Sequence, residues 1–243
     1  MKTQALLLTC EHGGARVPPE YRYLFASSAA RAALQSHRAR DLGALGLAQS
    51  LQRALRAPLH ASTVTRLLVD LNRSIGHPQL FSKFSKSLDR AERATLLDRH
   101  YFPHRDGVES WIEGRVRRGR QVLHIGVHSF VPRVEGRKRK ADVGLLYDPA
   151  RAGERAFCAQ WKEALEAVDP KLRVRRNYPY LGKSDGLVTH LRRAFGPRGY
   201  VGIELEVNQA LLGEPHGRRR AMESIRASLA SLVDLNAGVQ IDG

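Results

Sequence analysis

The feature that most constrains this chain is an alternation. Short apolar runs, each halted by a polar cluster, are separated by segments with apolar residues at helical spacing. Residues 5–10 form the first run, which stops at Gly13-Gly14 and is punctuated by Pro18-Pro19. Leu42, Leu45, Leu51 and Leu55 predict a helix over residues 38–56, and residues 64–69 fit a second strand. Residues 82–99 carry helical propensity, and residues 121–127 read as a strand ending at His128-Ser129. Residues 141–147 and 173–175 read as strands. Phe157, Trp161, Leu165 and Val168 mark an amphipathic helix. Residues 187–195 are expected to be helical, residues 200–207 a strand, and Met222, Ile225, Leu229 and Leu232 a closing helix. Strands alternating with helices imply an α/β fold in one domain over residues 1–243. Its central sheet is expected to be mainly parallel or mixed, with helices on both faces. Ligands of such sheets bind beyond the carboxyl ends of the strands.

Charge narrows the partners. The formal net charge is +16, which suits nucleic acid, an acidic membrane surface or small anionic substrates. The arginines are spread along the chain, densest at residues 115–120, 137–140 and 218–220, and aromatics make up only 7%. No aromatics interleave the basic runs as a single-strand platform requires, so a small anionic substrate is expected rather than nucleic acid. A non-enzymatic binder of nucleic acid or another polyanion is the competing reading. No apolar run is long enough to span a membrane. The apolar stretch after Met1 is too short for a signal peptide, so a cytoplasmic location is expected. Cys10 and Cys158 form no CxxC pair, and Cys10 is read as a small buried side chain at a strand end.

Five polar clusters fall at or near the ends of the runs. In Glu11-His12-Gly13-Gly14, an imidazole and a carboxylate at a strand end can ligate zinc, and the glycines let backbone approach a ligand. In His37 to Asp41, the closing acid is either a helix N-cap or a site residue. Arg66 with Asp70-Leu71-Asn72-Arg73 offers planar forks and an amide suited to a carboxylate, or an internal Asp70–Arg73 pair that fixes a turn. His128 stands at the end of a buried strand, whereas His124 on the same face reads as a core histidine. Glu204 and Glu206 point to one side of a strand, where charge is costly unless paired or metal-bound. A carboxylate beside an activated water is what metal-assisted amide hydrolysis needs as a general base. No Walker A loop, GxGxxG turn or GxSxG elbow is present.

In this order, Thr9-Cys10-Glu11-His12-Gly13-Gly14, residues 37–43, Val69-Asp70-Leu71-Asn72-Arg73, residues 125–130, residues 177–182 with Asp185-Gly186, and residues 203–207 resemble the N-formylglutamate amidohydrolase family. The resemblance runs from about residue 5 to 212. It implies a fold similar to zinc carboxypeptidases and succinylglutamate desuccinylase. It also implies zinc-dependent cleavage of the amide bond of a small anionic N-acyl amino acid, such as N-formylglutamate. A peptidase or another deacylase on the same scaffold is the alternative. The resemblance puts one zinc ion on His12 and His128, with Glu11 or Asp41 as third ligand, and makes Glu206 the general base. Asn72 and Arg73, supported by Arg66, resemble a substrate-carboxylate clamp, and Asn177, Tyr180 and Asp185 a pocket wall. The family often carries an arginine two residues after the base, where this chain has Asn208.

Overall fold

A computed structural model describes residues 4–233. Met1, Lys2 and Thr3, on which the signal-peptide reading partly rests, lie outside the described residues, as does the tail from 234 onward. The strands are β1 (Gln4–Cys10), β2 (Leu59–Ala61), β3 (Gln121–Phe130), β4 (Arg133–Val134), β5 (Arg137–Lys138), β6 (Val143–Leu146), β7 (Val174–Arg176) and β8 (Tyr200–Asn208). The helices are α1 (Ser28–Gln35), α2 (Ala44–Leu55), α3 (Arg90–Leu96), α4 (Phe102–Arg117), α5 (Ala152–Val168), α6 (Leu187–Ala194), α7 (Gln209–Gly213) and α8 (Pro215–Ala230). Six strands form one sheet in the order β2-β1-β3-β8-β6-β7, while β4 and β5 make a separate hairpin. Neighbours in the sheet run parallel except β6 and β8. The fold is therefore α/β with a mixed, mostly parallel sheet.

The period of two along each strand sorts side chains between two layers. Leu8, Leu123, Ile125, Ile203 and Leu205 face α2, α5 and α8, where they meet Leu47, Leu51, Trp161, Leu165, Ile225 and Leu229. Leu7, Val122 and Tyr200 face α4 and α6, where they meet Val108, Ile112, Leu187 and Leu191. Toward the carboxyl ends of β3 and β8 that second face turns polar, since its positions are His124, Gly126 and His128 on one strand and Gly202, Glu204 and Glu206 on the next. The parallel register sets Gly126 against Glu204 and His128 against Glu206. A third apolar cluster, with Phe25, Val64, Leu68, Leu71, Leu96 and Tyr101, packs the connections between the main elements.

Four segments differ from the sequence reading. Residues 64–69 are not a strand: Val64 makes an isolated bridge to Arg16, and the chain then turns, with Leu68 N donating to Thr65 O. Their apolar side chains serve the third cluster, not the sheet, whose edge is the shorter β2. The helix expected over residues 38–56 begins only at Ala44, after Gly43 at φ +81°, a conformation that glycine adopts without strain. Within residues 82–99 the helix begins only at Arg90, fixed by the Asp89–Glu92 capping box, and runs on past Leu96 as a π-helical turn. The sequence reading gives no helix for the sixteen-residue α4, which continues without a break from α3 through a π-helical turn, Leu97–Tyr101, with Pro103 just after that turn.

Candidate metal centre and pocket

Three loops and two strand ends converge above the polar face. His12 follows β1, Asp41 sits in the turn before α2, Asp70 in the irregular segment after β2, and His128 on β3. All four are buried. Among the described residues, His12, Asp41 and His128 form the one group of potential metal ligands, their donor atoms lying within 4.8 Å of one another. Asp41 Oδ2 is 2.9 Å from His128 Nδ1 and 3.4 Å from His12 Nδ1. Asp41 is thus not the N-cap of α2, a place taken by Gly43.

The opposite nitrogen of each ring lies beside a second acid, hydrogen-bonded for His12 and an ion-pair contact alone for His128. Asp70 Oδ1 lies 2.6 Å from His12 Nε2, and Glu11 Oε2 lies 3.1 Å from His128 Nε2. A carboxylate beside Nε2 favours a proton there; the raised pKa values put a second proton on Nδ1, which donates to Asp41, and a divalent ion would take the place of that Nδ1 proton. Two Nδ1 atoms and one carboxylate, buried and convergent, are a donor set that fits a divalent ion with an open position. Glu11 does not join that group: it faces the far side of His128 and also approaches His104 on α4, at 3.5 Å. His104 was not singled out from the sequence, since a lone histidine in a basic helix carries no signal.

Electrostatics follow from this crowding. Burial works against the charge of Asp41, yet His12 and His128 hold its carboxyl far below the usual range. Asp70 is likewise buried, and Arg66 and His12 hold it down. Burial and Arg66 both oppose a proton on His12, but Asp70 and Asp41 outweigh them and raise its pKa. Burial pushes the Glu206 carboxyl up to about 8; His128 opposes the rise, and Asp41 and Glu204 reinforce it. Glu206 Oε2 is buried without a hydrogen-bond partner. Glu204 differs: it is 14% exposed at its side chain and accepts from Asn72 Nδ2 at 3.3 Å. Burial pushes the Cys10 thiol up to about 12, consistent with a packed side chain and not a nucleophile.

A cavity of about 680 Å³ opens over these groups and is lined by His12, Asp41, His128, Glu204 and Glu206. The other site residues read from the sequence divide into those with free groups and those already engaged. Arg66 lines the cavity, but its guanidinium is 2.7 Å from Asp70 Oδ2 and 3.4 Å from Asp41 Oδ1, so it braces the acids. Asp70 consequently pairs with Arg66 and His12, not with Arg73. Arg73 donates through Nη1 to the carbonyls of Asn72 and Asp185, while its Nε is buried with no partner. Asn72 accepts from Leu187 N and donates to Glu204, joining the clamp segment to α6 and β8. Asp185 lines the cavity and receives Ser74 N and Oγ, which fixes the loop. Tyr180 lines the cavity mouth, 45% exposed. Asn177, at φ +50°, is not among the lining residues; it accepts from Tyr147 N and Gly182 N and shapes the turn that carries Tyr180. Gly13 and Gly14 make room for neighbouring backbone, since a Cβ on Gly14 would lie 2.5 Å from Thr63 O. Asn208 caps α7 and donates to Ala141 O, both structural contacts.

Residues 4–212 match the family model of N-formylglutamate amidohydrolase. A gene product of Agrobacterium tumefaciens of known structure is 29% identical with a TM-score of 0.74, covering 95% of this chain and 92% of its own. N-formylglutamate amidohydrolase from Ralstonia eutropha JMP134 shares the fold at a TM-score of 0.72 and 18% identity, over 94% of this chain and 93% of its own. No curated protein sequence matches. No described helix is long and apolar enough to cross a membrane.

Proposed function

This chain belongs to the N-formylglutamate amidohydrolase family, and from that premise we propose that it hydrolyses the amide bond of a small anionic N-acyl amino acid with the help of one zinc ion. The observation that carries the metal reading is the pairing of the histidines. His12 and His128 both present Nδ1 to Asp41, and both have Nε2 against a further carboxylate. A structural pair of core histidines has no need of that double arrangement, whereas metal ligands are commonly oriented in this way. A bound zinc ion supplies a Lewis acid for the acyl carbonyl and makes a neighbouring water more acidic.

The chain's own residues do the rest. Glu206 stands across from His128 in register, with Oε2 unpartnered; a bound cation would lower the pKa that burial raises, and the Glu206 carboxylate can then accept the proton of the attacking water and pass it to the leaving nitrogen. Glu204 is held by Asn72 and lies on the Nε2 side of His128, 4.0 Å away, which leaves Glu206 as the freer base. We assign the substrate carboxylate to Arg73, which lines the cavity and whose Nη1 is held by the carbonyls of Asn72 and Asp185. Arg66 holds Asp41 and Asp70 as carboxylates. We read the compartment as cytoplasmic.

The test is a hydrolysis screen of N-formyl, N-acetyl and N-succinyl amino acids, following amine release by zinc-loaded and by chelator-stripped protein. Turnover of at least one acidic N-acyl amino acid, lost on chelation and restored by zinc, is expected. Equal turnover after complete removal of metal refutes the zinc reading, and no turnover of any substrate refutes the amidohydrolase reading.

A further inference from the structure

A buried carboxylate is costly unless donors surround it. Glu11 is buried, and among the described residues its ion-pair partners are two imidazoles. His128 Nε2 stands 3.1 Å from Glu11 Oε2, and His104 Nε2 stands 3.5 Å from Glu11 Oε1. The side chains of His104 and His128 are 8% and 5% exposed. Glu11 Oε1 and both Nε2 atoms are buried without a hydrogen-bond partner, so these contacts are the closest that each has. The next acid near His128 Nε2 is Glu204, at 4.0 Å.

The placing of His104 is over-determined. Tyr101, at the end of the π-helical turn, donates through Oη to Arg73 O at 2.7 Å, and Arg105 Nη1 donates to Leu71 O at 3.1 Å. His104, Val108 and Ile112 follow at four-residue spacing and so share a face of α4, and the last two pack with Leu7 and Val122 of the sheet. The helix is thus pinned to the 71–73 segment at one end and to the sheet at the other. A π-helical turn adds a residue and changes which side chains face inward beyond it, and such turns are frequent at functional sites. His124 shows the contrast with a structural core histidine, since both its ring nitrogens are hydrogen-bonded, to Thr9 and to Tyr200. His104 Nε2 meets a carboxylate instead.

We propose that His104 is a positioning residue of the metal centre: it holds Oε1 of Glu11 so that Oε2 stays on His128 Nε2, which keeps His128 Nδ1 turned toward Asp41. The inference rests on the metal reading of the proposed function. A carboxylate behind a metal-bound imidazole fixes the ring and raises its basicity. Glu11 does this for His128 only while its own carboxylate is held in place, and His104 is the partner that holds it. Without His104 the Glu11 side chain keeps a single contact and is free to turn away from His128. The chain of contacts runs from α4 through the residue after β1 to the end of β3, so it couples a helix that contributes no ligand to the ligand set.

Zinc competition against a chromophoric chelator, on the full chain, reads this without turnover. His104→Leu removes the donor and is expected to weaken zinc affinity about 10-fold, the low end for a group that supports a metal-bound imidazole. His104→Gln, whose amide nitrogen can stand in for Nε2 as a donor, is expected to restore most of that loss. Glu11→Gln is expected to weaken affinity about 10–100-fold, and adding His104→Leu to it to cost little more, because the two residues act in one chain. Circular dichroism and urea unfolding of the metal-free variants report folding, and His104→Ala replaces His104→Leu under the same criteria if the latter does not fold. Unchanged affinity in the folded His104→Leu variant, equal losses for Leu and Gln, or additive losses in the double variant overturns the assignment. A wild type that takes up no zinc overturns the metal reading and this proposal together, whereas a zinc-loaded wild type with unaffected variants overturns this proposal alone.

Discussion

Asp70→Asn separates an acid that orients a metal ligand from one that merely fills space. The Asp70 carboxylate accepts four contacts: His12 Nε2 at 2.6 Å, Arg66 Nη2 at 2.7 Å, Arg66 Nε at 3.1 Å and Asn72 N at 3.0 Å. An asparagine is isosteric but has one acceptor, not two. If its oxygen faces His12, its NH₂ group meets the Arg66 fork, donor against donor. If its NH₂ group faces His12, it forces Nε2 to accept, which moves the ring proton to Nδ1, the atom aimed at Asp41. The first arrangement costs stability and the second costs metal binding. Losing one partner of a buried ion pair costs about 3–5 kcal/mol. Here the Arg66 side chain keeps 26% of its exposure and a contact to Asp41, so about 1–3 kcal/mol is the expected loss. Loss of a carboxylate behind a metal-bound histidine lowers metal affinity about 10–100-fold. The assay is zinc competition against a chromophoric chelator, paired with urea unfolding of the metal-free protein. An affinity within twofold of wild type in a folded variant refutes the orienting role of Asp70, and with it the argument for Nδ1 ligation.

Other expectations follow from the same geometry. Glu206→Gln should fold and bind zinc yet lose about 10²–10⁴-fold in turnover, as expected for a missing general base, whereas Glu204→Gln should retain far more; the reverse ranking in assays on the same zinc-loaded samples moves the base to Glu204. His124 is fully buried against Thr9 and Tyr200, and burial depresses its pKa from 6.5 to about 3. The unfolded chain therefore binds a proton below pH 6.5 that the folded chain refuses, so stability is complete above that pH and falls as pH drops toward 3. Between pH 6.5 and 5 this amounts to about 2 kcal/mol, and urea titrations of His124→Gln should lack that part of the slope; parallel pH profiles for wild type and variant contradict the assignment.

How much the sequence revealed depends on where each residue gets its position. β1, β3 and β8 were legible because a buried strand needs an unbroken apolar run, and α5 and α8 because their apolar stripes repeat at helical spacing. His12, His128 and Glu206 were legible for the same reason, being polar residues at or near the ends of those runs. Asp41 and Asp70 were visible only as alternatives, since both lie in irregular turns where a carboxylate serves a cap or a local pair equally well. Only tertiary contact brings them to the rings of His12 and His128. Arg66 and Arg73 looked alike as forks, and the structure separates them by what each already touches.

The account rests on His12, Asp41 and His128 as ligands of one ion, and metal content tests this most directly. Wild type and the His12→Ala, Asp41→Ala and His128→Ala variants are equilibrated with zinc, desalted and assayed by elemental analysis, with circular dichroism as the check on folding. About one zinc per chain is expected in wild type, with most of it lost in each folded variant. Full occupancy in the folded variants, or a wild type that retains no metal, contradicts the account.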